Sequence, residues 1–231
     1  ESYRKFLSFS GPAWLYLREI LRVGLPSGFS LAAEVGMFAM VSLLMGTFGV
    51  TAIAGHQIAI NVASLTFMVP MGLSIAITIR VGQAKGRDNC REARYVGYAG
   101  ILLCILVMAV TATIFILVPE MIVGLYTDDV HVRTLAAQLL YMAAIFQLSD
   151  GMQVGAMGAL RGLKDTRIPF VANSIAYWVF GLPLAYLVGF NFNVGPIGMW
   201  VGLIAGLSIA AVFHSLRFMI LTNRLLSIFC S

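Results

Sequence analysis

Charged residues are scarce in this sequence, because Asp, Glu, Lys and Arg together make up only 11% of its 231 residues. Apolar residues reach 60%, whereas soluble domains carry about a quarter charged residues and less than half apolar ones. A soluble protein of this size would lack the polar side chains needed to cover its core. The composition therefore indicates a protein whose solvent is the lipid bilayer.

Cysteine is also rare, and Cys90, Cys104 and Cys230 have neither the paired spacing nor the histidine partners of a zinc site. The net charge is +5, but the basic residues form no continuous stripe and no nucleic-acid recognition motif. The sequence contains no nucleophile–base pair and no phosphate-binding glycine loop in a suitable context. These absences argue against nucleic-acid binding and against an enzyme.

Six apolar stretches are long enough to cross a bilayer, which takes about 20 residues in a helix. The connections between them are short, so neighbouring helices are expected to be antiparallel. None of the stretches shows the alternation of an outer-membrane barrel strand. We therefore predict an all-α, polytopic membrane protein with a six-transmembrane-helix bundle, whose spans are 24–47, 51–79, 95–118, 135–160, 168–190 and 194–213.

The predicted domains are a cytoplasmic interfacial linker helix over 1–23, the six-helix lobe over 24–223 and a cytoplasmic tail over 224–231. Residues 1–23 place aromatic residues beside Arg and Lys, which is typical of a helix lying at the membrane surface; a disordered tail is the alternative. The chain begins at Glu1 rather than Met and has no signal peptide, so we expect a cut or an incomplete reading frame.

Orientation follows from the basic residues, which favour the cytoplasmic side of short loops. With the N-terminus inside, all of the 15 Lys and Arg residues except Arg133 fall on the cytoplasmic side. We therefore predict a multi-pass protein of the bacterial inner (plasma) membrane with both termini in the cytoplasm. The positive charge is then a topology signal and requires no polyanionic partner.

Two carboxylates lie deep inside the predicted spans. Glu34 is ten residues into the first span, about 15 Å from its start, and Asp150 is eleven residues before Arg161, about 16 Å away. No Lys or Arg lies inside any predicted span, and an unpaired carboxylate at that depth costs at least about 2.5 kcal/mol. Each must face a hydrated cavity, bind a cation or hold a proton; protonated packing residues are the alternative.

Polar residues share helix faces with these carboxylates, and small residues recur at helical spacing elsewhere. The polar residues either line a cavity or hold the helices together by hydrogen bonds, whereas the glycines allow close packing of helix backbones. The polar set is Gln147 and Gln153 beside Asp150, with Gln57, Asn61 and Ser64 on the second span; the glycine sets are Gly155, Gly158 and Gly162, and Gly198, Gly202 and Gly206.

Several motifs, in order along the chain, are specific enough to indicate a family. They are GLPSG from residue 24 with Glu34 downstream, GHQI from 55, FMVP from 67, TIRVG from 78, QLSDG from 147, GALRGLKDT from 158 and YWVFGLP from 177. Over essentially its whole length the sequence resembles the C-terminal half of multidrug and toxic compound extrusion (MATE) transporters, particularly the NorM-type bacterial branch.

The resemblance implies one lobe of a twelve-helix transporter that exports organic cations in exchange for Na⁺ or H⁺, with no other cofactor. Alternating access needs two bundles, so we expect the lobe to need an N-terminal six-helix partner. Glu34 and Asp150 would bind the proton or cation, as metal ligands if the ion is Na⁺. The expected supporting residues of the cavity are Gln57, Asn61, Phe67, Phe146 and Gln147.

Two further features follow from the resemblance. Asp128 and Asp129 match positions that face bound cationic drugs; an N-terminal helix cap is the alternative. Many relatives carry Tyr four residues before the tenth-helix Asp, whereas this chain has Phe146, so a phenol oxygen that could bind Na⁺ is missing there.

Three other functions stay open at this point. A lipid-linked oligosaccharide flippase of the wider superfamily would need a basic cavity, which the predicted spans do not provide. A channel would conduct ions without substrate. A transport-inactive fragment would keep the fold and, at most, cation binding.

Overall fold

The computed structural model describes residues 14–229, which contain no β-strand. The π-helical segment Ala176–Gly181 joins the sixth α-helix to the seventh, and a second π-helical segment, Leu187–Asn191, extends the seventh; this continuous helical stretch, Arg167–Asn191, is here called the α6–α7 segment. The all-α prediction is confirmed. The helices are α1 (Trp14–Gly46), α2 (Val50–Gly86), α3 (Cys90–Leu117), α4 (Pro119–Gly124), α5 (Val130–Gly162), α6 (Arg167–Ile175), α7 (Leu182–Tyr186) and α8 (Pro196–Phe229).

Five segments of the described chain are long and apolar enough to cross a membrane: Ile20–Gly46, Val50–Gly86, Cys90–Leu117, Arg167–Asn191 and Pro196–Ser227. The remaining predicted span, 135–160, lies inside α5, which has 33 residues but is not among these five. Helix α5 packs against α2, α3 and α8 together. Because its surface faces protein rather than lipid, it tolerates more polar residues. The described chain is therefore a multi-pass membrane bundle of six long helical segments, one of which, α5, packs against several of the others.

The predicted linker and tail at the two ends of the lobe do not coincide with the ends of helices α1 and α8. Most of the predicted linker, residues 1–13, lies outside the described residues, and the part from Trp14 onward continues without a break into α1. Helix α8 extends through Phe229 and so includes most of the predicted tail. The surface position of 1–23 and the separate tail stay predictions.

Helices α2 and α5 approach each other closely over several turns. The Ser74 hydroxyl donates to the Val154 carbonyl at 2.8 Å, and the Thr78 hydroxyl donates to the Gly158 carbonyl at 2.9 Å. A Cβ atom at Gly158 would lie 2.6 Å from the Ser74 carbonyl oxygen. The absence of a side chain at Gly158 therefore allows these side chain–backbone hydrogen bonds, which hold α5 beside α2.

Candidate cation site

A pocket of about 200 Å³ opens on the surface of the bundle between α1, α2 and α5. Its volume is sufficient for several water molecules or a hydrated cation. Both carboxylates singled out in the sequence lie in this one pocket, although they are on different helices. The lining residues are Leu31, Glu34, Val35 and Phe38 from α1, Ile60, Ala63, Ser64 and Phe67 from α2, and Phe146 and Asp150 from α5.

The two carboxylates differ in their exposure. Asp150 is only 5% exposed at the inner end of the pocket, whereas Glu34 is partly exposed. The rings of Phe38 and Phe146 pack edge to face with their centroids 5.8 Å apart and form an apolar wall. In such an environment two negative charges strongly favour a shared proton or a bound cation.

A phenol oxygen also reaches this site. Tyr177 follows α6 in the chain, and its hydroxyl group donates a hydrogen bond of 3.5 Å to Oε2 of Glu34. Gln153 Nε2 donates in turn to the Tyr177 hydroxyl group. Tyr177 is fully buried, and Gln153 is 3% exposed. Carboxylate and hydroxyl oxygens are the donor atoms that hard cations prefer, so the chemistry of the site suits Na⁺ as well as H⁺.

The position of Tyr177 depends on an irregular helix. Tyr177 lies in the π-helical segment Ala176–Gly181, directly before α7, which contains Pro183. Proline has no backbone N–H, and its ring clashes with the carbonyl group four residues earlier, so it disrupts a regular α-helix. A π-helical turn is one way of accommodating that disruption and is frequent at functional sites.

The predicted supporting residues have different positions. Phe67 and Phe146 line the pocket, but Gln57, Asn61 and Gln147 do not. Gln57 and Asn61 are exposed on α2, where the Asn61 amide oxygen accepts a hydrogen bond of 2.9 Å from Tyr126. Gln147 is buried and donates to Thr66, because its side chain points from α5 toward the core side of α2. These three residues lie outside the lining of this pocket, and their role in supporting a cavity stays a prediction.

The acidic pair before α5 lies away from the pocket. Asp129 is the N-cap of α5, and its Oδ1 atom accepts hydrogen bonds from the backbone of His131 at 2.9 Å and Val132 at 3.3 Å. Asp128 is exposed beside it. This geometry gives Asp129 a structural role as a cap, and contact of either residue with a drug stays a prediction.

One basic residue at the end of α5 is partly buried, which the sequence analysis did not predict. Arg161 was expected at the cytoplasmic surface, but its Nε atom is buried and has no hydrogen-bond partner among the described residues. Side chains of an α-helix lean toward its N-terminus, so Arg161 extends from the last turn of α5 into the bundle. No Lys or Arg is among the described residues that line the carboxylate pocket.

Comparison with known proteins decides the family. The model of the MatE family matches residues 26–187, well over half of the chain. The chain belongs to the MatE family. MatE relatives include the probable multidrug resistance protein NorM of Xanthomonas axonopodis pv. citri, 46% identical over 95% of this chain and 48% of that protein. MdtK of Yersinia pseudotuberculosis, named a multidrug resistance protein, is 43% identical over 90% of this chain and 47% of its own length.

Solved MatE structures have the same fold. A crystal structure of MATE in the bent conformation matches with a TM-score of 0.88 at 19% identity, over 96% of this chain and 49% of that chain. The eukaryotic MATE transporter AtDTX14 matches with a TM-score of 0.78 at 21% identity, over 92% and 49%. This chain thus spans about half the length of its MatE relatives, which are membrane transporters rather than enzymes.

Proposed function

We propose that this chain is the C-terminal lobe of a multidrug efflux transporter that exchanges organic cations for Na⁺ or H⁺. The observation that carries the proposal is that Glu34 and Asp150 line one pocket inside an apolar bundle. The likeness to NorM and MdtK proteins over half their length supports the assignment to multidrug efflux. The relatives found give no support to an oligosaccharide flippase.

The mechanism follows from the charge of the pocket. Binding a proton or Na⁺ removes one of the two negative charges of the carboxylate pair and favours the conformation in which the pocket is closed to water. Release of that ion on the other side of the membrane restores the charge and favours the open conformation. A ligand shifts such an equilibrium only as far as its affinities for the two states differ, and carboxylates in a pocket walled by Phe38 and Phe146 provide that difference.

The transported organic cation would bind outside the carboxylate pocket, between this lobe and a second six-helix lobe. The exposed polar residues Gln57 and Asn61 lie on the same helix as the pocket residue Ser64. Polar side chains are unfavourable toward lipid, so this face of α2 suits a water-filled cleft. We infer that the complete protein lies in the bacterial inner membrane with both termini in the cytoplasm.

Drug efflux by cells tests the proposal. The full natural chain that contains these 231 residues is produced in a bacterium lacking its own efflux pumps, and loss of ethidium from preloaded cells is followed by fluorescence. Glu34→Gln and Asp150→Asn each keep the size of the side chain but remove its charge. Each variant is expected to slow ethidium efflux at least tenfold at unchanged protein level in the membrane.

The matched control is Glu120→Gln, which removes a carboxylate from the exposed first turn of α4. This variant should export ethidium at the rate of the unchanged protein. Undiminished efflux by Asp150→Asn or Glu34→Gln would remove that residue from the mechanism and refute the proposal.

A further inference from the structure

A second pocket, of about 340 Å³, lies between α8 and the first part of the α6–α7 segment. All of the described residues that line it are apolar, and the large ones are exposed on the surface of the described chain. It shares no lining residue with the carboxylate pocket. This pocket is here called the α6–α8 groove, and its lining is Ile168, Val171, Ala172, Ile175 and Ala176 from the α6–α7 segment, and Ile209 and Phe213 from α8.

Beside the groove, α8 packs directly on the α6–α7 segment. A Cβ atom at Gly206 would lie 3.1 Å from the Ala176 carbonyl oxygen, and a Cβ atom at Gly202 would overlap the backbone of Ala185. Such close approach of two helix backbones requires residues without side chains. Because Gly206 meets Ala176 and Gly202 meets the later residue Ala185, the two helices run antiparallel.

The same face of α8 then changes from small to large residues. Ile209 and Phe213 follow Gly206 at spacings of three and seven residues, which keep them on one face of a helix. Their side chains prevent the close approach found at Gly206, so the helices separate and the groove opens. From Ile168 to Ala176 the groove is about 12 Å long at 1.5 Å per residue. This length approaches the depth of one leaflet, which is half of a hydrocarbon core of about 30 Å.

Arginine residues follow the groove on both helices. On α8, Arg217 is one turn beyond Phe213 on the same face, and Arg224 is two turns further. At the start of α6, the exposed Arg167 directly precedes the lining residue Ile168. Because the helices are antiparallel, all three arginines lie beyond the same end of the groove. This is the basic end of the bundle, which carries most of the Lys and Arg residues of the sequence.

The positive charge at this end of the groove is only partly neutralised within the described chain. Asp165 pairs with Arg217 at 2.9 Å, whereas Arg167 and Arg224 make no ion pair among the described residues. Long arginine side chains can extend from an apolar surface to the level of the lipid headgroups. An apolar groove with cations at one end thus complements a phospholipid, whose acyl chain is apolar and whose phosphate group is negative.

We propose that the α6–α8 groove binds an anionic phospholipid, with an acyl chain along Ile175 and Phe213 and the phosphate group at Arg167 and the Arg217–Asp165 pair. Basic pockets between transmembrane helices bind the headgroups of anionic lipids in this way. The lipid site does not depend on the proposed exchange of organic cations, because the two pockets have separate linings.

Photo-crosslinking in lipid nanodiscs tests the proposal with the full natural chain that contains these 231 residues. The nanodiscs consist of phosphatidylcholine with a small fraction of a phosphatidylglycerol whose acyl chain carries a diazirine, and mass spectrometry locates the labelled peptides. We expect labels to concentrate in peptides that cover 168–176 and 209–213. Unlabelled phosphatidylglycerol should displace them, and phosphatidylethanolamine should be about fivefold less effective or worse, since each Arg near the surface contributes about 1 kcal/mol to binding of anionic lipid, which is about fivefold in affinity.

Two pairs of variants separate recognition of the headgroup from binding of the acyl chain. Arg167→Gln removes one cation and should lower labelling of the groove about fivefold at a subsaturating probe concentration. Its control is Arg91→Gln, at the exposed start of α3, which should leave that labelling unchanged. Ala172→Trp fills the groove and should lower labelling at least tenfold. Its control is Val179→Trp, at a 59% exposed position of the same segment outside the groove, which should retain labelling.

Labels spread evenly over the exposed apolar residues of the bundle would overturn the proposal, because they would reflect only the lipid that surrounds every membrane protein. Equal displacement by phosphatidylethanolamine, or undiminished labelling of Arg167→Gln, would refute recognition of the headgroup. The groove would stay unlabelled if another part of the complete protein covers it, and that result would also refute the proposal. If Ala172→Trp does not fold, the displacement experiment on the unchanged protein still decides the question.

Discussion

The hydroxyl group of Tyr177 lies 3.5 Å from Oε2 of Glu34, so the α6–α7 segment contributes an oxygen to a carboxylate on α1. The resemblance described above predicts that Phe146 leaves the site without a phenol oxygen at that position, and Tyr177 brings a phenol oxygen to Glu34 instead. The phenol oxygen approaches from a different helix, and Gln153 on α5 donates to it. With α2, which also lines the pocket, four helical segments therefore meet at the candidate cation site.

Removal of this hydroxyl should impair exchange without unfolding the bundle. Tyr177→Phe takes a donor from Glu34 and an acceptor from Gln153, and hydrogen bonds of this kind contribute about 0.5–1.5 kcal/mol. We expect ethidium exchange in proteoliposomes to slow about two- to tenfold. Tyr186→Phe is the control, because Tyr186 is 49% exposed and lies farther along the same segment. Equal rates for the two variants would exclude a role for the Tyr177 hydroxyl.

Close packing of α2 and α5 predicts a steric effect at Gly158. In Gly158→Ala the new Cβ would lie 2.6 Å from the Ser74 carbonyl oxygen and from its hydroxyl oxygen. Overpacking of this kind costs about 1–3 kcal/mol, so the apparent melting temperature in detergent should fall by several degrees. Gly72→Ala on α2 has no atom within 4 Å of its new Cβ and should melt at the same temperature or slightly higher. A stable Gly158→Ala variant would contradict the packing described here.

Two substitutions of Asp129 distinguish its role as a helix cap from a role in contacting the drug. Asn caps helices as well as Asp does, whereas Ala does not. We expect Asp129→Asn to retain thermal stability and ethidium efflux, and Asp129→Ala to lose about 1 kcal/mol of stability. If Asp129→Asn instead melts normally but exports ethidium poorly, the charge has a role in transport beyond the cap.

Orientation in the membrane can be measured with single cysteines at exposed positions on opposite ends of the bundle. Arg167→Cys is at the start of α6, and Asn193→Cys is in the turn before α8. With the basic end in the cytoplasm, a membrane-impermeant maleimide added to intact spheroplasts should label Asn193→Cys and spare Arg167→Cys. The reverse pattern would contradict the inferred topology.

Depth in the membrane could be read from the sequence, but rotation about each helix axis could not. Hydropathy and the rise of 1.5 Å per residue place Glu34 and Asp150 at the same level. Whether a side chain at that level faces the pocket depends on how the helices pack. Gln57 and Asn61 have the helical spacing expected of one face of α2, yet they lie outside the pocket. The periodic pattern shows that they share a face, but it does not show which neighbouring helix that face meets.

Two other residues escaped prediction for local reasons. Tyr177 lies in a π-helical segment, and the α-helical period of 3.6 residues gives the wrong rotation across such a turn. Arg161 follows an apolar span, a position typical of a surface charge, although the lean of helical side chains toward the N-terminus directs it inward at the end of α5. Applying that rule to basic residues at the C-terminal ends of spans would have indicated that part of the Arg161 side chain is buried.

The central claim is that Glu34 and Asp150 act together on one coupling ion. Ethidium exchange driven by an imposed Na⁺ or H⁺ gradient, measured in proteoliposomes with the full natural chain, tests it most directly. Glu34→Gln, Asp150→Asn and the double variant are compared, since groups that act as a unit have non-additive effects. The account predicts that each single variant loses gradient-driven exchange and that the double variant is no worse. Additive partial losses, or exchange that still follows the gradient in the double variant, would contradict it.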